Sequence, residues 1–172
     1  MMTGHLTGPS WVVITLTAGV STAGNQIYPA GKLTRGDIVH IHPFGNTIVT
    51  LTMTGAQLLA YVAGTLTCYA DLCGSFLQIS GFKMVLRRVG DGAALVSLAF
   101  PDGTPITTAT PGMKVATNNY VFAGQLAKEC PLNGMARKND GLPLVTVLQR
   151  AIDAAPQNTI SPVVEGRITW QG

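Results

Sequence analysis

The chain has 172 residues, of which 47% are hydrophobic and only 11% charged, with a formal net charge of +3. That length supports one domain with a real core, residues 1–172 with a loose lead-in over 1–10, and the apolar content excludes a disordered chain. The basic residues are scattered, with no basic stripe among aromatics, and no apolar run approaches the roughly 18 residues of a membrane span; neither nucleic acid nor a membrane is an expected partner.

Trp11 to Thr17 reads as a strand rich in β-branched residues. It resembles a short signal core, but no Lys or Arg precedes it, so no signal peptide is assigned. The compartment stays open on these residues. It is cytoplasmic if the chain is complete. Residues 18–31 carry Gly19, Gly24, Pro29 and Gly31 and read as a long loop. Thr34 to Asp37 has capping-box form and predicts a short helical turn that Pro43 ends. From Thr47, Val49, Leu51 and Met53 alternate with Thr50 and Thr52, which predicts a half-buried strand.

Thr54 and Gln57 make a second capping box, and Leu58, Leu59, Val62 and Leu66 follow at helical spacing, which predicts an amphipathic helix over 55–66. Strands are predicted over Phe76–Ile79, Phe82–Arg88, Leu95–Phe100 and Lys114–Thr117, with turns at Gly90–Gly92 and Asp102-Gly103. Residues 123–141 carry Gly, Asn and Lys, with weak helical character near Leu126 to Glu129. Pro143 opens a helix whose buried stripe is Leu144, Val145, Leu148 and Ile152, and Val163 to Trp170 is a last strand. Strands mixed with a few helices, without strict alternation, predict an α+β fold with a mixed sheet.

The residues alone single out little chemistry. Cys68, Cys73 and Cys130 are too few for a disulfide framework and lack a second ligand pair for zinc. His40 and His42 would share a face on a strand, with Asp37 near, but a metal site usually wants three or four ligands. No nucleophile elbow, phosphate-binding loop or dinucleotide fingerprint is present. A thiol nucleophile at Cys130 would need a basic partner brought in by folding. The carboxylates fall mostly in predicted turns and caps. No catalytic residue, metal ligand or cofactor is assigned. Phe44 and Tyr120 stand out, because each follows a loop-type residue at an element end, and an aromatic there offers a flat face to a planar ligand.

In order, Pro29-Ala30-Gly31, Leu33-Thr34, Asp37-Ile38, Pro43-Phe44-Gly45-Asn46 and Leu51-Thr52-Met53-Thr54-Gly55-Ala56-Gln57-Leu58 carry a resemblance. It continues through Phe76-Leu77-Gln78-Ile79-Ser80-Gly81-Phe82, Val115-Ala116-Thr117-Asn118-Asn119-Tyr120 and Val164-Glu165-Gly166-Arg167-Ile168. Together they resemble the C-terminal domain of the 5′-nucleotidase/apyrase family, over about Pro29 to Trp170. Members of that family join a dimetal phosphoesterase domain, which hydrolyses, to this domain, which grips the nucleobase between two aromatic rings. The resemblance makes those rings Phe44 and Tyr120, with Asn25, Asn46, Asn119, Gly124 and Gln125 as loop contacts.

Two departures accompany it. Asn25 falls near the position of a substrate-binding Arg and carries no charge. Ala123-Gly124-Gln125-Leu126 replaces a Gly-Gly-Asp run, with Leu126 where a carboxylate would hold the ribose. Losing such a charged partner costs about 1.5–3 kcal/mol. The resemblance therefore implies a non-hydrolytic binding module with an altered nucleoside pocket, its partner a small planar ligand such as a nucleoside, or a sugar. The alternatives are the substrate-binding fragment of a full-length nucleotidase whose metallophosphoesterase domain is missing, which would be extracellular or periplasmic, a self-associating homo-oligomer or carbohydrate-binding protein, and an enzyme with new chemistry involving His40, His42 or Cys130.

Overall fold

The computed structural model describes residues 14–18, 29–66, 76–123, 135–161 and 163–171. Two mixed sheets meet over one apolar core. The first takes the order β3-β1-β7-β2-β8 and the second β6-β5-β4-β9. The strands are β1 (Ile14–Ala18), β2 (Thr47–Met53), β3 (Leu77–Ser80), β4 (Lys83–Val89), β5 (Gly92–Ala99), β6 (Pro105–Ile106), β7 (Met113–Asn118), β8 (Arg137–Pro143) and β9 (Ile168–Gln171). The helices are α1 (Arg35–Ile41), α2 (Gly55–Thr65), α3 (Asn119–Phe122) and α4 (Leu144–Ala154). This is the α+β fold the sequence predicts.

Both expected capping boxes are made. Thr34 Oγ1 accepts from the Asp37 amide at 3.2 Å while the Asp37 carboxylate accepts from the Thr34 amide at 2.7 Å. At α2, Thr54 Oγ1 accepts from the Gln57 amide at 3.3 Å and Gln57 Oε1 accepts from the Thr54 amide at 2.8 Å. An 11-residue helix is marginal alone. Its buried Leu58 and Val62 hold it, at roughly 1.5–3 kcal/mol each, with Tyr61 buried beside them. They join Val49, Leu51 and Met53 of β2, Met84 and Leu86 of β4, and Met113 and Val115 of β7 in a single cluster. The alternation read in β2 is thus the alternation of burial.

At its capping box, the Thr34 amide, then its hydroxyl, and more weakly the nearby His40, hold the Asp37 carboxyl below the ordinary aspartate pKa of about 3.9. A carboxyl with a depressed folded pKa stabilises the fold fully above its unfolded pKa, and the contribution fades as pH falls through the lower folded value. Acidification from pH 5 to pH 3 should therefore lower the urea midpoint less in Asp37→Asn than in the unmodified chain. Equal losses in the two would remove Asp37 from the acid response.

The structure corrects several expectations. Residues 137–143 form β8, a strand not expected from the sequence. Asn139, Asp140 and Gly141 have poor strand propensity, and β2 supplies the partner backbone, with an irregular register between Thr47 and Val49 where Gly141 takes a φ of +63°. The last strand is confined to Ile168–Gln171, because Gly166 turns the chain at a φ of +64°. β5 starts at Gly92, and β1 is described over Ile14–Ala18. Pro143 is the N-cap of α4 rather than a residue of its first turn, and the stripe Leu144, Val145, Leu148 and Ile152 is half-buried. His40 lies in the last turn of α1 and His42 at its C-cap. Two positions apart on a helix are about 200° apart, so they do not share a face. The expectations for Trp11, Cys68, Cys73, Cys130 and the helical stretch 126–129 fall outside the described residues. Among the described residues no helix is long and apolar enough to cross a membrane.

Candidate functional site

β2 and β7 run antiparallel with Ile48 opposite Asn118. The start of β2 and the end of β7 therefore lie at one end of the first sheet. Phe44 comes just ahead of that start and Tyr120 just past that end. Pro43 and Phe44 form the turn after α1, and Gly45, at a φ of +62°, redirects the chain into β2. A Cβ there would meet the steric penalty of the left-handed region.

Tyr120 is carried by α3, a single turn that the sequence does not announce. Asn118 is fully buried, and its Oδ1 caps the turn by accepting from the Val121 amide at 2.8 Å. Val121 and Phe122 go into the core, which leaves the preceding Tyr120 outward. Arg137 at the start of β8 lies 4.5 Å from the Phe122 ring centroid and closes over that ring as a cation–π contact. An Asn directly after a strand of alternating burial was the available signal for this cap.

The two aromatic segments are tied together. The Thr47 amide donates to Asn119 Oδ1 at 2.9 Å, across 72 residues of sequence. The Leu144 amide donates to the Asn46 carbonyl at 2.9 Å, which seats the first turn of α4 on the same loop. Asn119, through its side chain, and Asn46, through its backbone carbonyl, both expected as ligand contacts, are struts of this sheet end in the structure. Both rings are open to solvent, Phe44 at 61% and Tyr120 at 40% exposure. Apolar side chains this exposed are poor core elements, and each leaves a face for a planar group. The predicted contacts Asn25, Gly124 and Gln125, with Leu126, lie outside the described residues. Among the described residues no three His, Cys, Asp or Glu side chains gather as a metal-ligating group.

Replacing Asn119 by Ala should cost about 1 kcal/mol of stability through the lost strut. It should also weaken any ligand held by Tyr120 several-fold, because the turn is no longer anchored to β2. Thermal unfolding together with ligand titration of the variant checks both.

These features define a two-sheet α+β domain with a pair of outward aromatics at one sheet end. The profile of the family "5′-nucleotidase, C-terminal domain" matches residues 7–127, and the chain belongs to that family. Among curated proteins it is 27% identical over 142 residues to the trifunctional nucleotide phosphoesterase protein YfkN of Bacillus subtilis, covering 80% of this chain and 10% of that one. It is 32% identical over 96 residues to the cell wall protein Lmo0130 of Listeria monocytogenes, covering 54% and 12%. The chain therefore spans about a tenth of the length of these relatives.

Among solved structures, the 5′-nucleotidase precursor of Thermus thermophilus superposes with a TM-score of 0.76 at 23% identity, over 91% of this chain and 31% of that chain. The NAD nucleotidase of Haemophilus influenzae gives 0.66 at 20%, over 92% and 28%. A putative 5′-nucleotidase of Staphylococcus aureus, in complex with alpha-ketoglutarate, gives 0.66 at 16%, over 91% and 33%. At these identities the likeness is one of fold.

Proposed function

We propose that this domain is a non-hydrolytic ligand-binding module that holds a small planar ligand, a nucleoside first, on Phe44 and Tyr120. The observation that carries the reading is the outward exposure of both rings at one sheet end, joined by the Asn119 to Thr47 hydrogen bond. Family membership supports it, since relatives include proteins named as nucleotide phosphoesterase and nucleotidase. Stacking of one base on an aromatic contributes roughly 1–3 kcal/mol. Two such rings, with no charged residue at Asn25 or Leu126, give about 2–6 kcal/mol, a Kd between roughly tens of micromolar and tens of millimolar.

The test is a titration of the chain with adenosine and with a glycan panel, read by tyrosine and tryptophan fluorescence. Saturation by adenosine is expected, and no saturable response to any of them would defeat the reading. In the same preparation, AMP should release no phosphate. Chelator-sensitive release would mean that the chain is itself a hydrolase.

A second reading is supported by length. The chain matches only 28–33% of the solved nucleotidase chains described above. In that reading the domain presents substrate to a metallophosphoesterase domain of the same protein. A metallophosphoesterase coding sequence directly upstream in the parent gene is its test.

A further inference from the structure

The two end strands of the first sheet are guarded differently. β8 carries Arg137 and Lys138, and its register against β2 is irregular. Charge and irregularity keep an end strand from pairing with another chain. The other end strand, β3, reads Leu77-Gln78-Ile79-Ser80, with no charge and no proline, and it pairs with β1 in unbroken register. Leu77 and Ile79 lie in the core and Gln78 is exposed, so what this edge offers a partner is backbone. In the second sheet, β6 has only two residues, one of them Pro105, and Arg88 lies over the Trp170 ring of the end strand β9, 5.5 Å from the centroid. β3 is thus an edge that its own residues leave open.

A residue from elsewhere in the chain reaches it. Val163 to Arg167 have no regular structure, and with Ile168 they face Gln78 and Ile79 across an open cleft of about 190 Å³. The main chain of this stretch therefore lies beside β3 without pairing with it. Arg167 crosses the gap. Its Nη1 donates to the Ile79 carbonyl at 2.6 Å, its Nε lies 3.3 Å from Glu165 Oε2, and its own carbonyl accepts from the Met84 amide of β4 at 2.7 Å. Gly166, at a φ of +64°, bends the chain between the two charged residues. A charged donor on a carbonyl makes a stronger bond than a neutral one. The competing explanation is that Arg167 is only a strut between the two sheets. That accounts for its bonds to Ile79 and Met84 but not for Glu165, a half-exposed carboxylate that adds little stability and fixes where the guanidinium lies.

We propose that Arg167, set in place by Glu165, is a latch on a self-pairing edge, and that it keeps this chain from joining a second copy through β3 to β3 pairing. The partner is a second copy because an uncharged strand in regular register complements itself when two copies meet antiparallel about a two-fold axis. Val163 and Val164, both strongly exposed beside the cleft, add apolar contact to such a pair. The latch is independent of the ligand readings at Phe44 and Tyr120.

The experiment is sedimentation of the 172-residue chain and its variants over a wide range of concentration, with circular dichroism to establish folding. Arg167→Ala should form a concentration-dependent dimer about tenfold or more tighter than any dimer of the unmodified chain. Gln78→Lys added to it should abolish that dimer, because like charges then meet across the paired strands. Glu165→Gln, which leaves the guanidinium present but no longer held, should give the same dimer more weakly, and it covers the case in which Arg167→Ala folds poorly. Phe44→Ala should leave the mass unchanged. A folded Arg167→Ala that keeps the mass of the unmodified chain, or a dimer that survives Gln78→Lys, would overturn the proposal. So would an unmodified chain that dimerises and becomes monomeric with Gln78→Lys, since the edge would then be open with Arg167 in place. If Arg167→Ala does not fold and Glu165→Gln gains no dimer, Arg167 is a strut and the latch is overturned.

Discussion

Phe44→Ala and Tyr120→Ala should each weaken nucleoside binding by several-fold to roughly a hundredfold, the range that corresponds to about 1–3 kcal/mol of lost base stacking. Folding should be nearly untouched. Phe44 is 61% exposed and Tyr120 40%, and exposed substitutions away from caps and cores usually change stability by less than about 0.5 kcal/mol. This separation makes the experiment decisive, since a loss of affinity without a change in unfolding temperature isolates the rings. Tyr120→Phe keeps the aromatic face and should retain most of the affinity, so a large loss there would shift the role to the phenol hydroxyl. The Phe44→Ala, Tyr120→Ala double variant should bind no nucleoside detectably. An unchanged Kd in the double variant would place the ligand elsewhere and reduce Phe44 and Tyr120 to loop packing.

The second large effect concerns stability. Gly55→Ala should destabilise the domain by about 1–3 kcal/mol, even though alanine is the better helix former by about 1 kcal/mol. Gly55 is the first residue of α2, and its amide donates to the Thr110 carbonyl at 3.0 Å. A Cβ at this position would run into the Thr107 carbonyl oxygen and sit 2.7 Å from the Thr110 Cβ. Backbone on one side and a branched carbon on the other give no flexible chain end that can swing away. The loop from Thr107 to Thr110 would have to separate from α2, breaking the amide contact with it. A fall of several degrees in unfolding temperature is expected for a chain of this size. An unchanged or raised temperature would show that this loop moves freely and that the helix-propensity gain wins.

Both capping boxes were legible because each depends on side chains only three residues apart, Thr34 with Asp37 and Thr54 with Gln57. The burial of Val49, Leu51 and Met53 was legible because strand alternation has a period of two and one face of β2 meets the core. Gly55 was visible as part of a motif, but its steric need was not. The group it avoids is on a loop more than fifty residues away in sequence. β8 was not expected, because Asn139, Asp140 and Gly141 have poor strand propensity. Its strand character comes from the backbone groups of β2. The amphipathic pattern of α4 was plain, yet its apolar residues are only half-buried. A periodic stripe specifies which face turns inward, not how much surface waits there.

For the candidate site, an ordered set of motifs was enough to select Phe44 and Tyr120, and their loop-end positions explained why each ring could face outward. Their presence at one sheet end follows from the antiparallel pairing of β2 with β7 and from a hydrogen bond between residues 72 apart. The Arg88 and Trp170 stack arises in the same way, from a parallel pairing of β4 with β9. Caps, turns and face periodicity are settled by interactions within a few residues, so the order of amino acids determined them here. Which strands become neighbours is settled by competition among distant apolar faces for one core, and only the folded chain decided which aromatic and cationic side chains met.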